Sequence, residues 1–401
     1  MNESIRVCAE GTRRRIEFLK SRISDLTNDA IHSGKYFSGE KVAFLEKSLS
    51  QTWNSTVVAT NSTNSALQLA LLASGVNSGD EVLLSALSPI STAYAITAVG
   101  GIPVFIDIDP QTFTIDVQSI EEVIGGRSKA IIATHSYGLM ADMQSLMKAA
   151  SKYDLKVIED VAQSSGATYN LCYAGTVSDF GCFSMGGDGA LPPPVRDNSK
   201  RVARSNRSTG RVEDGGIIAV RDLESLKLIE QLLDSSKILQ ANNSYIHRKF
   251  GFRSKMGEFS AAIINLKLQF LPQWNFRRQE IAERYNYAFA KLPIQIPIAP
   301  IGYTHVYSKY PILTQSHSDR LTLENRLANT GIQTEKFIPK LVPDQAIYSI
   351  GLPCRTGCLD KARNVIERLV YLPMYPELTD EEVEAVIIAM YNAYEAFSLA
   401  S

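Results

Sequence analysis

Between residues 40 and 230 the chain alternates short apolar runs with stretches of helical periodicity, and this alternation limits the fold more than any other feature. Residues 65–76 carry apolar side chains at helical spacing, and an apolar strand follows at 80–87. The runs 102–109 and 156–162 have the same strand character. Strands that are apolar on both faces and separated by helices are typical of a parallel sheet covered by helices. The sequence therefore predicts an α/β fold.

Polar side chains stand at the ends of three of these strands. Asp107, His135 and Asp160 each lie where a predicted strand finishes. Ligands of open parallel sheets bind at the carboxyl ends of the strands. We therefore expect a cleft at this edge of the sheet, lined by these residues.

A smaller second domain is predicted after the large sheet. A long helical stretch covers 257–292, and Pro272 is expected to break it into two helices because proline lacks an amide proton. A strand, a helix near 318–330 and a C-terminal helix follow. A chain of 401 residues is long enough for two domains. We divide it into a large domain, 1–285, and a smaller C-terminal α/β domain, 286–401.

The composition argues against several classes of function. A net charge of -1 gives no general attraction to nucleic acid or anionic membranes, and no apolar run has the length of a membrane span. The N-terminus is polar and lacks the apolar core of a signal peptide. The five cysteines lack metal-ligand spacing, which favours reduced thiols over a metal site. We expect a soluble, cytoplasmic protein without bound metal.

Several motifs, in order along nearly the whole chain, resemble the DegT/StrS-type sugar aminotransferases, fold-type-I enzymes that use pyridoxal phosphate. The matching stretches are SGKYFSGEKVAFLE (33–46), NSTNSALQLALLASGVNSGDEVL (61–83), VIEDVAQSSGATY (157–169), GTVSDFGCFS (175–184), DGGIIAVRD (214–222), GFRSKMGEFSAAI (251–263) and LPMYPELTDEEV (372–383). The resemblance implies a homodimer with a large, mostly parallel-sheet domain and a smaller C-terminal domain. It also implies a small-molecule substrate, such as a nucleotide sugar or another intermediate of amino-sugar, antibiotic or secondary-metabolite biosynthesis.

The resemblance assigns a phosphate site to the start of one helix. Ser62, Thr63 and Asn64 would present backbone amides and the positive end of the helix dipole to the cofactor phosphate. Ser184 would add a hydroxyl. A plain helix cap at Ser62 or Thr63 is a compatible alternative, because a capping site becomes an anion site when a ligand arrives.

Two further residues match the family's contacts to the cofactor ring. Asp160 would keep the pyridine nitrogen protonated, so that the ring can withdraw electrons, and Gln163 would lie near the ring. A helix cap is the alternative role for Asp160.

The family's essential lysine is missing. It lies five residues after the serine that matches Ser184, and Gly189 stands at that position. Glycine supplies neither a nucleophile nor a base, so no covalent cofactor link is expected there. The nearest ionisable group is Asp188, and Pro89 replaces the aromatic residue that stacks on the ring in the family. We expect no covalently bound cofactor, with non-covalent pyridoxal or pyridoxamine phosphate left open.

Basic residues suggest that the cleft recognises an anionic substrate. Arg253 replaces the asparagine that reaches the phosphate from the partner subunit in the family, and Lys255 replaces an arginine. The stretch 192–211 adds six cations and is interpreted as a solvated loop or as a positively charged cover over the cleft. Its Lys200 is the candidate for a displaced cofactor lysine.

His135 is the predicted general base, because its unperturbed pKa lies near neutrality. A satisfied structural histidine is the alternative. Asp188 and Tyr137 are the other candidates for catalysis.

Three functions follow from this pattern. The first is an enzyme with lysine-independent chemistry, such as dehydration, isomerisation, cyclisation or condensation. The second is a non-catalytic ligand-binding protein or heterodimer partner of an active aminotransferase. The third is an ordinary sugar aminotransferase whose lysine has moved.

Overall fold

A computed structural model describes residues 5–34, 36–37, 39–185, 215–233, 237–239, 245–247, 251–335 and 337–398. The α-helices in these ranges are α1 (Thr12–Ser33), α2 (Glu40–Trp53), α3 (Thr63–Ala73), α4 (Ile90–Ala98), α5 (Ile120–Val123), α6 (Met143–Lys152), α7 (Leu223–Leu233), α8 (Glu258–Leu268), α9 (Leu271–Phe289), α10 (His317–Asn329), α11 (Ala346–Ser349), α12 (Asp360–Arg368) and α13 (Asp380–Ser398).

The β-strands in the same ranges are β1 (Thr56–Thr60), β2 (Glu81–Ser85), β3 (Ile102–Ile106), β4 (Ser128–Thr134), β5 (Lys156–Asp160), β6 (Thr168–Tyr169), β7 (Cys172–Tyr173), β8 (Phe180–Ser184), β9 (Gly216–Val220), β10 (Lys237–Leu239), β11 (Tyr245–His247), β12 (Tyr303–Thr304), β13 (Tyr310–Leu313), β14 (Arg355–Thr356) and β15 (Leu369–Leu372).

One large sheet carries most of these strands, in the order β1-β9-β8-β5-β4-β2-β3-β14. Strand β9 runs antiparallel to both of its neighbours. The other neighbouring pairs are parallel. The predicted α/β fold with a mostly parallel sheet is confirmed.

Helices cover both faces of the sheet, and this explains the continuous apolar runs in its strands. In β4, Ile132 packs into a core with Leu67 of α3, whereas Ile131 packs into a second core with Leu146 of α6. Successive strand residues point to opposite faces, so each strand contributes to both cores. Every residue of β2 and β8 is buried.

The predicted break in the long helical stretch at 257–292 is confirmed. The chain forms α8 and then α9, with Pro272 in the first turn of α9. A proline is tolerated there because the first amides of a helix have no intrahelical acceptor. The predicted helices near 318–330 and at the C-terminus are α10 and α13.

A third core lies in the C-terminal part of the chain. It joins Tyr285 of α9, Tyr310 of β13, Val370 of β15 and Val386 of α13, and it also includes Val7. Strands β13 and β15 pair antiparallel beside it. The domain boundary between 285 and 286 stays a prediction. In the described ranges, none of the helices combines the length and apolar composition that a membrane span needs.

Candidate functional site

The carboxyl edge of the large sheet brings several predicted site residues together. Asp160 ends β5 and pairs with Cys182 of β8, and Ser184 ends β8 opposite Gly216. Gly216 is also the register partner of Thr60, which ends β1. The backbone N–H of His135 donates to the carbonyl oxygen of Asp160 at 3.0 Å. Ser184, Asp160 and His135 therefore stand along one edge of the sheet.

The start of α3 forms a cradle for an anion. Ser62 is its N-cap, and the Ser62 hydroxyl accepts the backbone N–H of Ser65 at 3.1 Å. A Cβ at Gly216 would lie 2.2 Å from the carbonyl oxygen of Ser62, so only glycine permits this approach of β9. The first amides of a helix point outward without intrahelical acceptors, as those of Thr63 and Asn64 do here. In the described part of the chain Asn64 Oδ1 is buried and has no hydrogen-bond partner.

Asp160 is a buried carboxylate with two donors. Thr92 donates its hydroxyl to Oδ2 at 2.7 Å, and the backbone N–H of Ala162 donates to Oδ1 at 3.1 Å. Burial raises the pKa of Asp160, and these hydrogen bonds only partly oppose that effect. A protonated ring nitrogen next to Asp160 would stabilise the ionised form of the carboxylate, which burial disfavours.

The amide of Gln163 has a fixed orientation. Its Oε1 accepts the backbone N–H of Tyr137 at 3.0 Å. A backbone amide can only donate, so the oxygen of Gln163 faces Tyr137 and its NH₂ group is the end that can donate to a ligand. Tyr137 holds this contact with a left-handed φ of 57°, an unusual conformation for a bulky residue.

His135 is enclosed and uses both ring nitrogens. Nε2 lies 2.9 Å from Oε2 of Glu159, and Nδ1 accepts the backbone N–H of Ala141 at 3.2 Å. Because Nδ1 is an acceptor, the proton is on Nε2 and is donated to Glu159. This geometry supports the structural alternative for His135. Its role as a general base stays a prediction.

The carboxylate of Glu159 accepts hydrogen bonds from two other segments of the chain. Besides His135, its carboxylate accepts the backbone N–H groups of Gly175, Val177 and Ser178 and the Ser178 hydroxyl. Although burial raises the pKa of Glu159, the hydrogen bond from His135 and those from the backbone outweigh it and hold the pKa below its usual range. In the sequence Glu159 stands out only as part of a motif, and this role was not predicted.

The side chain of Tyr137 is buried among other aromatic residues. Its hydroxyl lies 2.9 Å from that of Tyr371 on β15, and its ring packs edge-on against Phe113 and Phe337. Burial raises its pKa, with the hydrogen bond to Tyr371 acting in the opposite direction. Catalysis by Tyr137 stays a prediction.

The predicted substrate-binding residues lie around the same edge. Pro89 is half-buried and precedes the first turn of α4. Arg253 is exposed. The carbonyl oxygen of the next residue, Ser254, accepts the backbone N–H of Asn61 at 2.7 Å, which places Arg253 beside the segment that leads into α3. Lys255 pairs with Thr60 at the edge of β1.

Lys255 also lines a separate cavity of about 240 Å³ between α2, β1 and α7, together with Glu46 and Glu230. Two carboxylates therefore accompany this lysine on the outer side of the sheet edge. Binding of substrate by Lys255 stays a prediction.

Several predicted residues lie outside the described ranges. They are Asp188, Gly189, Lys200 and the basic stretch 192–211. In the described part of the chain no cluster of His, Cys, Asp and Glu could hold a metal ion.

The expectation that all three strand-end residues line the cleft is wrong for Asp107. Its carboxylate accepts the backbone N–H groups of Lys361 at 3.0 Å and Ala362 at 2.7 Å, so it caps α12. Lys361 is 254 residues away in sequence, and no local pattern predicts such a contact. Thr92 was also missed, because a threonine inside an apolar helix carries no signal of its own.

Comparison with known proteins identifies the family. The sequence model of the DegT/DnrJ/EryC1/StrS aminotransferase family matches residues 18–187 and 210–391. The chain belongs to this family. The interval between the two matched parts, 188–209, contains Gly189 and most of the basic stretch.

Individual relatives agree with this assignment. UDP-N-acetyl-3-dehydro-alpha-D-glucosamine 3-aminotransferase of Acidithiobacillus ferrooxidans is 32% identical, over 80% of this chain and 79% of its own. DesV of S. venezuelae, solved with a ketimine intermediate, is 27% identical with a TM-score of 0.85, covering 97% of this chain and 98% of its own. NtdA of Bacillus subtilis, solved with bound cofactor PMP, is 30% identical with a TM-score of 0.84, covering 98% of this chain and 86% of its own. The fold is therefore that of the aminotransferases.

The described residues fit a vitamin B6 phosphate at the sheet edge. The helix start at Ser62 and the close approach at Gly216 form a recess in which backbone amides could donate to a phosphate. Asp160 is available for a ring nitrogen, and the NH₂ group of Gln163 is available for a hydroxyl oxygen attached to the ring. The chain can thus hold and polarise such a group with its own residues.

We predict that Glu159→Gln lowers the free energy of unfolding by about 3 kcal/mol at neutral pH, because any orientation of the new NH₂ group faces at least one donor. The folded-state pKa of Glu159 lies below its ordinary value of 4.5. The stabilisation that ionised Glu159 gives the folded state is therefore present above pH 4.5 and is lost as the pH falls through the folded-state pKa. Urea unfolding at several pH values should show the difference between variant and wild type shrinking in acid.

Glu121→Gln is the matched control. Glu121 is 64% exposed and pairs with Lys152 on the surface, so its loss should change stability little. Equal stability of Glu159→Gln and wild type at neutral pH would contradict the role given to Glu159.

Proposed function

We propose that this chain is an enzyme that performs lysine-independent chemistry on a sugar or related biosynthetic intermediate, with a vitamin B6 phosphate bound non-covalently. Dehydration, isomerisation, cyclisation and condensation are the reactions that we consider. The observation that carries the proposal is the buried carboxylate of Asp160, which is kept with its donors while Gly189 stands at the position of the family's lysine. When bound, such a cofactor supplies an electron sink for the substrate.

Different residues of the chain would bind the phosphate and the ring of the cofactor. The start of α3 and Ser184 would bind the phosphate. Asp160 would hold a proton on the ring nitrogen, and Gln163 would donate to the hydroxyl oxygen attached to the ring. Proton transfer by His135, Asp188 or Tyr137 stays a prediction. The Acidithiobacillus relative is named for a UDP-linked sugar, which supports a nucleotide sugar as the substrate class here.

We predict that pyridoxal phosphate binds without forming a covalent link to the chain. Titration should give the absorbance of free aldehyde or hydrate, and borohydride treatment should leave the intact mass of the protein unchanged. Glycine at position 189 has no amine to react, which is the physical reason.

Other results would select the alternatives. A borohydride-stable mass increase located on Lys200 would show that the lysine has moved and would support an ordinary aminotransferase. Failure of both pyridoxal phosphate and pyridoxamine phosphate to bind would favour the non-catalytic partner.

We also propose that the chain forms a homodimer through the surface around α8 and the segment before α2. Phe37 is 67% exposed and pairs with Gly257 at the start of α8, and Phe44 on α2 is 62% exposed. Large exposed apolar side chains on one part of the surface are typical of protein interfaces. The corresponding helix forms the subunit interface in the family that the chain resembles.

Light scattering should therefore give the mass of a dimer at micromolar concentration. Phe37→Asp should shift the protein toward monomer, because a carboxylate would be buried in the contact. Phe276→Asp is the control, since Phe276 is similarly exposed, at 61%, but lies on α9. A monomeric wild type would refute the dimer.

We predict that Arg253→Ala weakens binding of pyridoxamine phosphate by about 10- to 100-fold, through loss of a charge-assisted hydrogen bond to the phosphate. Binding of pyridoxamine, which lacks the phosphate, should change little. Arg284→Ala serves as the control, because Arg284 pairs with Asp380 elsewhere on the surface. Unchanged affinity of Arg253→Ala for pyridoxamine phosphate would remove Arg253 from the anion site.

A further inference from the structure

The first turn of α4, which follows β2, places the side chain of Thr92 next to the carboxylate of Asp160. Pro89 precedes α4 with a φ of -59°, and the backbone N–H of Thr92 closes the first turn onto the carbonyl oxygen of Pro89 at 3.1 Å. Thr92 is therefore in the first turn of the helix and is fully buried. The hydroxyl of Thr92 reaches Oδ2 of Asp160 at 2.7 Å, across 68 residues of sequence.

This contact places the Asp160 carboxylate at the amino end of α4. The positive end of a helix dipole stabilises a carboxylate there, and the Thr92 hydroxyl adds a short, direct hydrogen bond. The backbone N–H of Ala162 fixes the other oxygen. These two hydrogen bonds fix the orientation of the Asp160 carboxylate. The lone pairs that remain therefore point in defined directions.

We propose that Thr92 is a positioning residue, which orients Asp160 so that the cleft selects a ligand with a protonated heteroaromatic nitrogen. The inference rests on the proposed function, because it assumes that a vitamin B6 phosphate binds there. Thr92 acts through Asp160 and does not itself touch the ligand.

A change of the ligand can separate this role from ordinary structural support. In the deaza analogue of pyridoxamine phosphate a C–H group replaces the ring nitrogen, so Asp160 has no N–H to accept. A residue that works only through Asp160 should matter for the natural ring and not for the deaza ring. A residue that merely supports the fold should affect both rings equally.

The experiment compares the affinity of wild type, Thr92→Val, Thr92→Ser and Thr97→Val for the two ligands by fluorescence titration. Valine keeps the shape and removes the hydroxyl, whereas serine restores it. Thr97 lies on the same helix and bonds to Ala93 and Tyr348, so Thr97→Val is the matched control. Circular dichroism establishes that each variant is folded.

We expect Thr92→Val to weaken binding of pyridoxamine phosphate about tenfold, because a carboxylate without the Thr92 hydroxyl would make a poorer hydrogen bond to the ring nitrogen. Its affinity for the deaza analogue should equal that of wild type, and Thr92→Ser and Thr97→Val should behave as wild type. Equal weakening for both ligands, no weakening for either, or misfolding of Thr92→Val with no recovery in Thr92→Ser would overturn the role of Thr92. Wild type that binds neither ligand would instead refute the proposed cofactor site, and the role of Thr92 with it.

Discussion

The carboxylate of Glu159 is the interaction on which the geometry of the sheet edge depends. A buried carboxylate destabilises a protein by several kcal/mol unless its oxygens are fully hydrogen-bonded. Glu159 meets this requirement with donors from His135, after β4, and from the segment 175–178, before β8. One buried charge therefore holds the carboxyl ends of β4 and β5 to the segment that leads into β8, and the neighbouring residue, Asp160, is held with them.

Glu159 and Asp160 are adjacent, yet their pKa values shift in opposite directions. Successive residues of a strand face opposite sides of the sheet, so the two carboxylates have different surroundings. Hydrogen bonds outweigh burial at Glu159 and lower its pKa, whereas burial dominates at Asp160 and raises its pKa. Pairs of carboxylates that are tuned apart in this way are common at functional sites. Here the first serves the architecture, and we propose that the second serves a ligand.

The sequence predicted the parts of the molecule that depend on local pattern. Alternating apolar runs predicted the parallel sheet, Pro272 predicted the break before α9, and the small residues at 62–65 predicted a helix start. It could not predict that Asp107 caps α12 or that Tyr137 meets Tyr371, because these contacts join segments more than 200 residues apart. The partners of His135 lie only 24 and 6 residues away, and they were missed for a different reason. The ring of a strand-end histidine can face a ligand or the protein, and its sequence context is the same in both cases.

The polar groups that remain at the edge of the sheet support a ligand-binding role for this chain. Asp160 is a carboxylate whose ionisation is opposed by burial, and Asn64 has a buried oxygen without a partner in the described part of the chain. Replacement of such groups by apolar ones is commonly neutral or stabilising in a protein that has no use for them. Gly189 stands where the resemblance places the family's lysine, and Asp160 has the donors Thr92 and Ala162. A buried carboxylate in a chain with glycine at the lysine position is the combination that we expect, under the proposed function, for a cofactor that is bound but not covalently attached.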